Sequence, residues 1–239
     1  MPHISPTHHH HHAITKLAAR AWHAHIPVRT FVMFFGMALM ALGVSLSIKG
    51  DLGTSPISSL PYALSCILGP SVGTMTIILN VSYVLIQVLI LRRNTRWNHW
   101  AQLIMATSMG VFIDFFDWIL PFGTPSSYFM RWVLCILGII ACGVGIAFEV
   151  RADLILNAGE GMVATLAEVM GHKFGNVKIV FDSTCVALAL ASSLLCLGAP
   201  AGVREGTVAA ALCVGLVVKA STKVIHGIDV KRWALATAH

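Results

Sequence analysis

Four ionisable residues stand within or at the edges of long apolar stretches: Asp114, Glu160, Lys178 and Asp182. A carboxylate in such surroundings is costly unless it faces water, a cation or a bound solute. Lys178 and Asp182 are four apart and share a helix face. They read either as a coupling site for a proton or ion, or as an ion pair holding a helix end. Glu160 follows Asn157 by three residues, as Ser58 follows Ser55. Ser and Asn are good helix N-caps, and the free N–H groups behind a cap can hold an anionic group. Thr54, Ser55, Ser58, Asn80, Asn157 and Glu160 are therefore candidate substrate-binding residues. Asp182, Asp114 and Lys178 are candidate proton- or ion-coupling residues. Plain capping is the competing account of Ser55 and Asn157. Asp117 and Trp118 read as interface markers, with Asp114 lying deeper in its span.

These residues belong to a duplicated unit. Arg29, Gly36, Gly43, Asp51, Leu52, Gly69 and Gly73 reappear in unbroken register as Arg131, Gly138, Gly145, Asp153, Leu154, Gly171 and Gly175. After a three-residue slip, Gly110 matches Gly215 and Asp114 matches Lys219. In the same register Ser55 matches Asn157, Ser58 matches Glu160, Thr76 matches Lys178 and Asn80 matches Asp182. Lys49 and Asp51 close the first span of one copy, and Arg151 and Asp153 close that of the other. Equivalent placement suggests a gate or hinge latch at each face; interfacial anchoring is the alternative. The paired glycines lie seven apart on one helix face and suit close helix packing.

Composition says where this happens. Of 239 residues, 56% are hydrophobic and 11% charged, against about 25% charged in a soluble domain. No charged side chain occurs from 52 to 91. A helix needs ~20 apolar residues to cross the hydrocarbon core, and spans are expected near 30–48, 72–91, 100–120, 132–150, 177–197 and 206–225. The net charge of +6 lies at span ends, with no basic stripe interleaved with aromatics, so no nucleic-acid partner is expected. The six cysteines are scattered through apolar runs with no CxxC, and read as reduced, buried small hydrophobes. No HExxH, GxSxG, P-loop or Cys/His array occurs, so neither an enzyme nor a cofactor or metal is expected. No cleavable signal is visible in residues 1–28, and this basic stretch with its His8 to His12 run is expected to form a disordered cytoplasmic tail.

Lysine and arginine set the orientation. With the N-terminus inside, six spans place 13 of the 16 basic residues on the cytoplasmic side and 3 outside. Two short apolar segments remain, 54–69 and 157–171. As helices they reach roughly 23 Å, short of the ~30 Å core. If both crossed, the tally would fall to 10 against 6, so they are expected to enter and leave on one side. Three spans per copy then turn the second copy upside down. The expected fold is an all-α polytopic membrane protein: six transmembrane helices as two inverted three-helix repeats, each with a short re-entrant or broken helix. The repeats cover 29–120 and 131–226, followed by a cytoplasmic tail at 227–239.

The stretch Lys49-Gly50-Asp51-Leu52-Gly53-Thr54-Ser55-Pro56 resembles the first-repeat signature of the YczE/YyaS/YitT family of bacterial membrane proteins. The turn Gly202-Val203-Arg204-Glu205-Gly206-Thr207-Val208 resembles that family's entry into its last span. Ala152-Asp153-Leu154 with Gly159-Glu160-Gly161 fits more loosely, and Ala158 stands where members often have Pro, which implies a less sharp second break. The resemblance implies a small multi-pass protein of the cytoplasmic membrane and, less directly, transport. It carries over no catalytic residues. Together these readings lead to an expected secondary transporter or permease for a small organic solute. Its partners would be membrane lipids and that solute, and homo-oligomerisation stays open. A passive channel with two half-helices and a non-transporting accessory or sensory subunit are the alternatives.

Overall fold

In the computed structural model the described residues are 26–92, 95 and 97–236. The His8–His12 run and the tail before Ile26 lie outside them, as do Arg93, Arg96 and residues 237–239. Among the described residues all regular structure is helical: α1 (Ile26–Gly50), α2 (Pro56–Leu68), α3 (Val72–Leu91), α4 (Trp97–Ile119), α5 (Tyr128–Ala152), α6 (Ala158–Met170), α7 (Phe174–Leu197) and α8 (Glu205–Ala236). Six of these, all but α2 and α6, are long and apolar enough to span a membrane. The first helix begins four residues before its expected span, and the last continues to Ala236, through the segment expected to be a tail.

The helix limits match between the two stretches of the expected repeat. α1 and α5 are both 25 residues long, and α2 and α6 both 13. Thirteen residues give roughly 20 Å of helix, too little to cross the core. Each short helix starts at the same kind of break. Ser55 has φ −59° and ψ 150°, and Asn157 has φ −56° and ψ 146°. Ala158 therefore leaves the second break as sharp as the first, which carries Pro56 at the first helical position. Pro61 falls inside α2 rather than ending it. Each short helix ends in a left-handed glycine, Gly69 or Gly171, the conformation glycine adopts at no steric cost.

α1 and α5 form the central pair. Gly36 lies against Gly145 and Gly43 against Gly138, so the two helices run antiparallel. A Cβ at Gly36 or Gly43 would stand 2.6 Å from the facing backbone oxygen. Small residues let helices approach this closely, which is how dispersion holds helices together in lipid. Around this pair α2 packs on α7, and α3 packs on both α6 and α4. Met33, Met37, Ala41 and Val44 of α1 meet Met105, Met109 and Ile113 of α4 in the largest core cluster. Outward-facing apolar side chains such as Phe31, Leu89, Ile179 and Leu195 are exposed, as suits helices solvated by lipid tails.

The six cysteines are all free. Cys135, Cys142 and Cys185 are buried, as expected. Cys66, Cys196 and Cys213 are exposed instead, because they fall on the outward faces of apolar helices, where a thiol is as compatible with lipid as with a core.

Candidate functional site

The two broken segments converge on one cavity of about 360 Å³. The α2 break contributes Ser55, Pro56, Ile57 and Ser58, and the α6 break contributes Asn157 and Glu160. Thr76, Asn80 and Tyr83 enter from α3, and Lys178 and Asp182 from α7. Met40, Val44, Met109, Cys142 and Ile146 supply apolar wall, and α8 closes it with Ala210, Ala211, Val214, Gly215 and Val218. Seven of the nine residues expected to bind solute or couple an ion thus meet in one place: Ser55, Ser58, Asn80, Asn157, Glu160, Lys178 and Asp182.

Lys178 Nζ lies 3.2 Å from Asp182 Oδ2, one helical turn away. The ion pair expected from the four-residue spacing therefore forms, and it forms on the cavity wall. Glu160 lies within electrostatic reach of both its members. Ser55 Oγ donates to Ser58 Oγ at 2.9 Å, and the Ser55 side chain makes no cap hydrogen bond to the N–H groups of α2. Asn157 caps no N–H with its side chain. Its backbone N–H donates to Glu149 Oε1 at 3.0 Å, and its side-chain oxygen is buried with no hydrogen-bond partner.

Three contacts join residues that are equivalent in the two copies. Cys142 Sγ donates to Met40 O at 3.5 Å. The Ile57 side chain packs directly on Gly159. Tyr83 Oη lies 3.8 Å from Cys185 Sγ. Met40, Ile57 and Tyr83 all line the cavity.

Two candidates sit elsewhere. Asp114 accepts hydrogen bonds from Ser71 Oγ at 2.7 Å and from Gly73 N at 2.8 Å. It caps α3 and does not line the cavity, because its position on α4 faces the α3 N-terminus. Thr54 is buried beside Gly202, to which its N–H donates at 3.2 Å, and it lines a separate cleft with Asp51 and Tyr62. Its hydroxyl, like the Asn157 side-chain oxygen, is buried without a partner.

The four latch candidates occupy the two ends of the central pair. Asp51 Oδ2 lies 3.1 Å from Arg204 and 3.5 Å from Arg131. Lys49 Nζ lies 2.8 Å from Asp117 Oδ1. At the other end Asp153 Oδ2 is 4.0 Å from Arg29, whose Nε also donates to Ala152 O at 2.8 Å. Arg151 is in the last turn of α5. Arg29 and Arg131, equivalent residues, thus each reach the equivalent aspartate of the other copy.

Sequence reasoning missed three contributors. Glu149 is buried and holds the Asn157 break; a lone acid two residues before Arg151 was its only signal. Gln87 is fully buried, and its amide donates to Gln102 Oε1 at 3.1 Å and to Ala158 O at 3.2 Å. Tyr83 offers no sequence cue beyond lying one turn past Asn80. Among the described residues no cluster of three or more metal-ligating side chains occurs.

Comparison with known proteins agrees with this architecture. A family described as "Family of unknown function (DUF6198)" matches residues 27–223. The uncharacterized membrane protein YczE of Bacillus subtilis (strain 168) is 31% identical over 189 residues, covering 79% of this chain and 82% of the relative. No solved structure matches. A multi-pass helical chain with the Asp-Leu-Gly-Thr-Ser-Pro break, matched over nearly its whole helical length, belongs to the DUF6198 family of YczE-like membrane proteins.

Proposed function

We propose that the protein is a secondary transporter for a small organic solute, built as two inverted repeats with re-entrant helices α2 and α6 and a binding site where their breaks meet. One observation carries this reading: residues equivalent in the two copies touch each other at the cavity. Under a twofold axis, a residue that meets its own mate lies on the axis. Met40 with Cys142, Ile57 with Gly159 and Tyr83 with Cys185 are three such pairs. The crossed contacts Gly36–Gly145 and Gly43–Gly138 obey the same operation. An axis in the membrane plane through a polar cavity is the geometry on which alternating access works, each half taking in turn the conformation of the other.

The polar lining sits among membrane helices, where irregular backbone is tolerated only inside protein or beside a watery cavity. In this reading Ser55, Ser58, Asn80, Asn157 and Glu160 contact solute, and Lys178 and Asp182 answer to a coupling proton. The bias of basic residues supports a bacterial cytoplasmic-membrane protein with both termini inside. The Asp51–Arg131 and Asp153–Arg29 pairs would be the latches of the two faces.

The test is flux in proteoliposomes across a panel of metabolites. A transporter gives saturable uptake that responds to an imposed pH gradient. Linear, gradient-indifferent flux would identify a channel instead. If Glu160→Gln leaves saturable uptake unchanged and Asp182→Asn leaves its gradient response unchanged, the assigned solute and coupling residues are wrong. If no solute moves, a non-transporting membrane subunit is the better reading.

A further inference from the structure

We propose that the cavity is built for an organic cation: a protonated amine on a compact apolar body. The proposal rests on reading the cavity as a solute site, and does not require that the solute crosses the membrane. Three charged side chains line the wall, and only one is positive. Lys178 is engaged with Asp182 at 3.2 Å, which leaves Glu160 as the excess carboxylate. Glu149, behind the wall, accepts from the Asn157 N–H and holds the break that bears Glu160. A membrane-buried excess of carboxylate calls for a cation.

Two oxygens at the breaks have the same sense. Asn157 lines the cavity, and its side-chain oxygen is a buried acceptor without a donor. Pro61 has no N–H, so the Ile57 carbonyl lacks its usual donor one turn on, and both residues line the wall. An ammonium carries three donors and no acceptor; a carboxylate solute would face these oxygens with none. The first turn of α6, whose N-terminal dipole would otherwise favour a solute anion, already contains Glu160. Val44, Leu79, Met109, Ile146 and Val214 supply an apolar wall, beside the neutral polar groups of Ser55, Ser58, Thr76, Asn80 and Tyr83. The volume of about 360 Å³ suits a small ligand, near the lower limit of common ligand pockets.

The experiment compares three probes of one shape on the full chain in lipid nanodiscs: cyclohexylmethylamine, cyclohexylmethanol and cyclohexanecarboxylate. Binding is read by calorimetry and by the thermal shift of tryptophan fluorescence. The amine should bind and raise the melting temperature, and the alcohol and acid should not. Glu160→Gln should weaken the amine by about tenfold or more, the loss of one charge-assisted bond. Asn157→Asp keeps the size of the side chain and adds a carboxylate, so it should tighten the amine even if the Glu160 variant folds poorly. Equal binding of the alcohol, preference for the acid, absence of any binding, or undiminished amine binding by a folded Glu160→Gln protein would each overturn the proposal. Uptake of acids or neutral solutes would do so while leaving the transporter reading intact. Amine binding with no flux of any solute would leave this proposal standing and remove transport.

Discussion

Asp51 and Asp153 end α1 and α5 with φ of 52° and 48°, a conformation that aspartate tolerates better than most residues and β-branched residues hardly at all. Backbone and charge can be separated there by substitution. Asp51→Asn keeps the conformation and removes the charge facing Arg131 and Arg204. Because these side chains are partly exposed, it should cost no more than about 1 kcal/mol. Asp51→Val adds about 1–2 kcal/mol of left-handed strain, so its melting temperature in nanodiscs should fall clearly below that of Asp51→Asn. Equal melting temperatures would mean the turn is not held by its own dihedrals. Glu149 gives a second contrast. Glu149→Gln keeps an oxygen for the Asn157 N–H, whereas Glu149→Leu strands a buried donor at about 1–3 kcal/mol. A Leu variant as stable as the Gln variant would remove Glu149 from the support of the break. The two aspartates were legible as an equivalent pair, but their partners were not. Arg131 lies 80 residues from Asp51, and Arg29 lies 124 from Asp153, so only the crossing of α1 and α5 brings them together.

Among the elements, the six spans and the two short helices follow from apolar length alone, since the bilayer sets the number of residues needed to cross it. The antiparallel match of Gly36 with Gly145 follows less directly. The sequence shows equivalent glycines seven apart, and only the sign of the repeat decides which faces which. Gly36→Ala should lower stability by about 1–3 kcal/mol through overpacking, because its Cβ would meet backbone 2.6 Å away that cannot rotate aside. Gly123→Ala, with nothing within 4 Å, serves as the control; equal melting temperatures would contradict the packing. Pro61 shows where local rules gave way. An interior proline loses one backbone bond, yet α2 continues through it, because Leu60 and Ala63 on either side are buried with Cys185 and Ala189 of α7. Tertiary packing, invisible in the local sequence, outweighs the lost bond.

At the scale of the whole molecule the two halves match in their helix limits and differ at one glycine seam. Gly73 of α3 lies against Gly110 of α4, so tightly that no Cβ fits at either, and Asp114 ties the same two helices together. Their equivalents, Gly175 of α7 and Gly215 of α8, meet nothing within 4 Å, and α7 and α8 form no packed interface among the described residues. If the repeats exchange conformations, α7 and α8 must close as α3 and α4 have closed, glycine upon glycine. A leucine at Gly175 or Gly215 has room in the present state and should change stability by no more than about 0.5 kcal/mol, as surface substitutions do. It should nonetheless abolish turnover, since its side chain fills the seam that has to shut; Gly215 also lines the cavity, so loss of flux at Gly175 is the cleaner sign of seam closure. A leucine at Gly73 or Gly110 meets facing backbone now and should destabilise by about 1–3 kcal/mol. Melting temperature and proteoliposome flux, measured on all four variants, separate these effects. Wild-type flux from a stable Gly215→Leu protein would mean that the seam never closes, and that the difference between the halves is a fixed feature of the fold rather than one stage of a cycle.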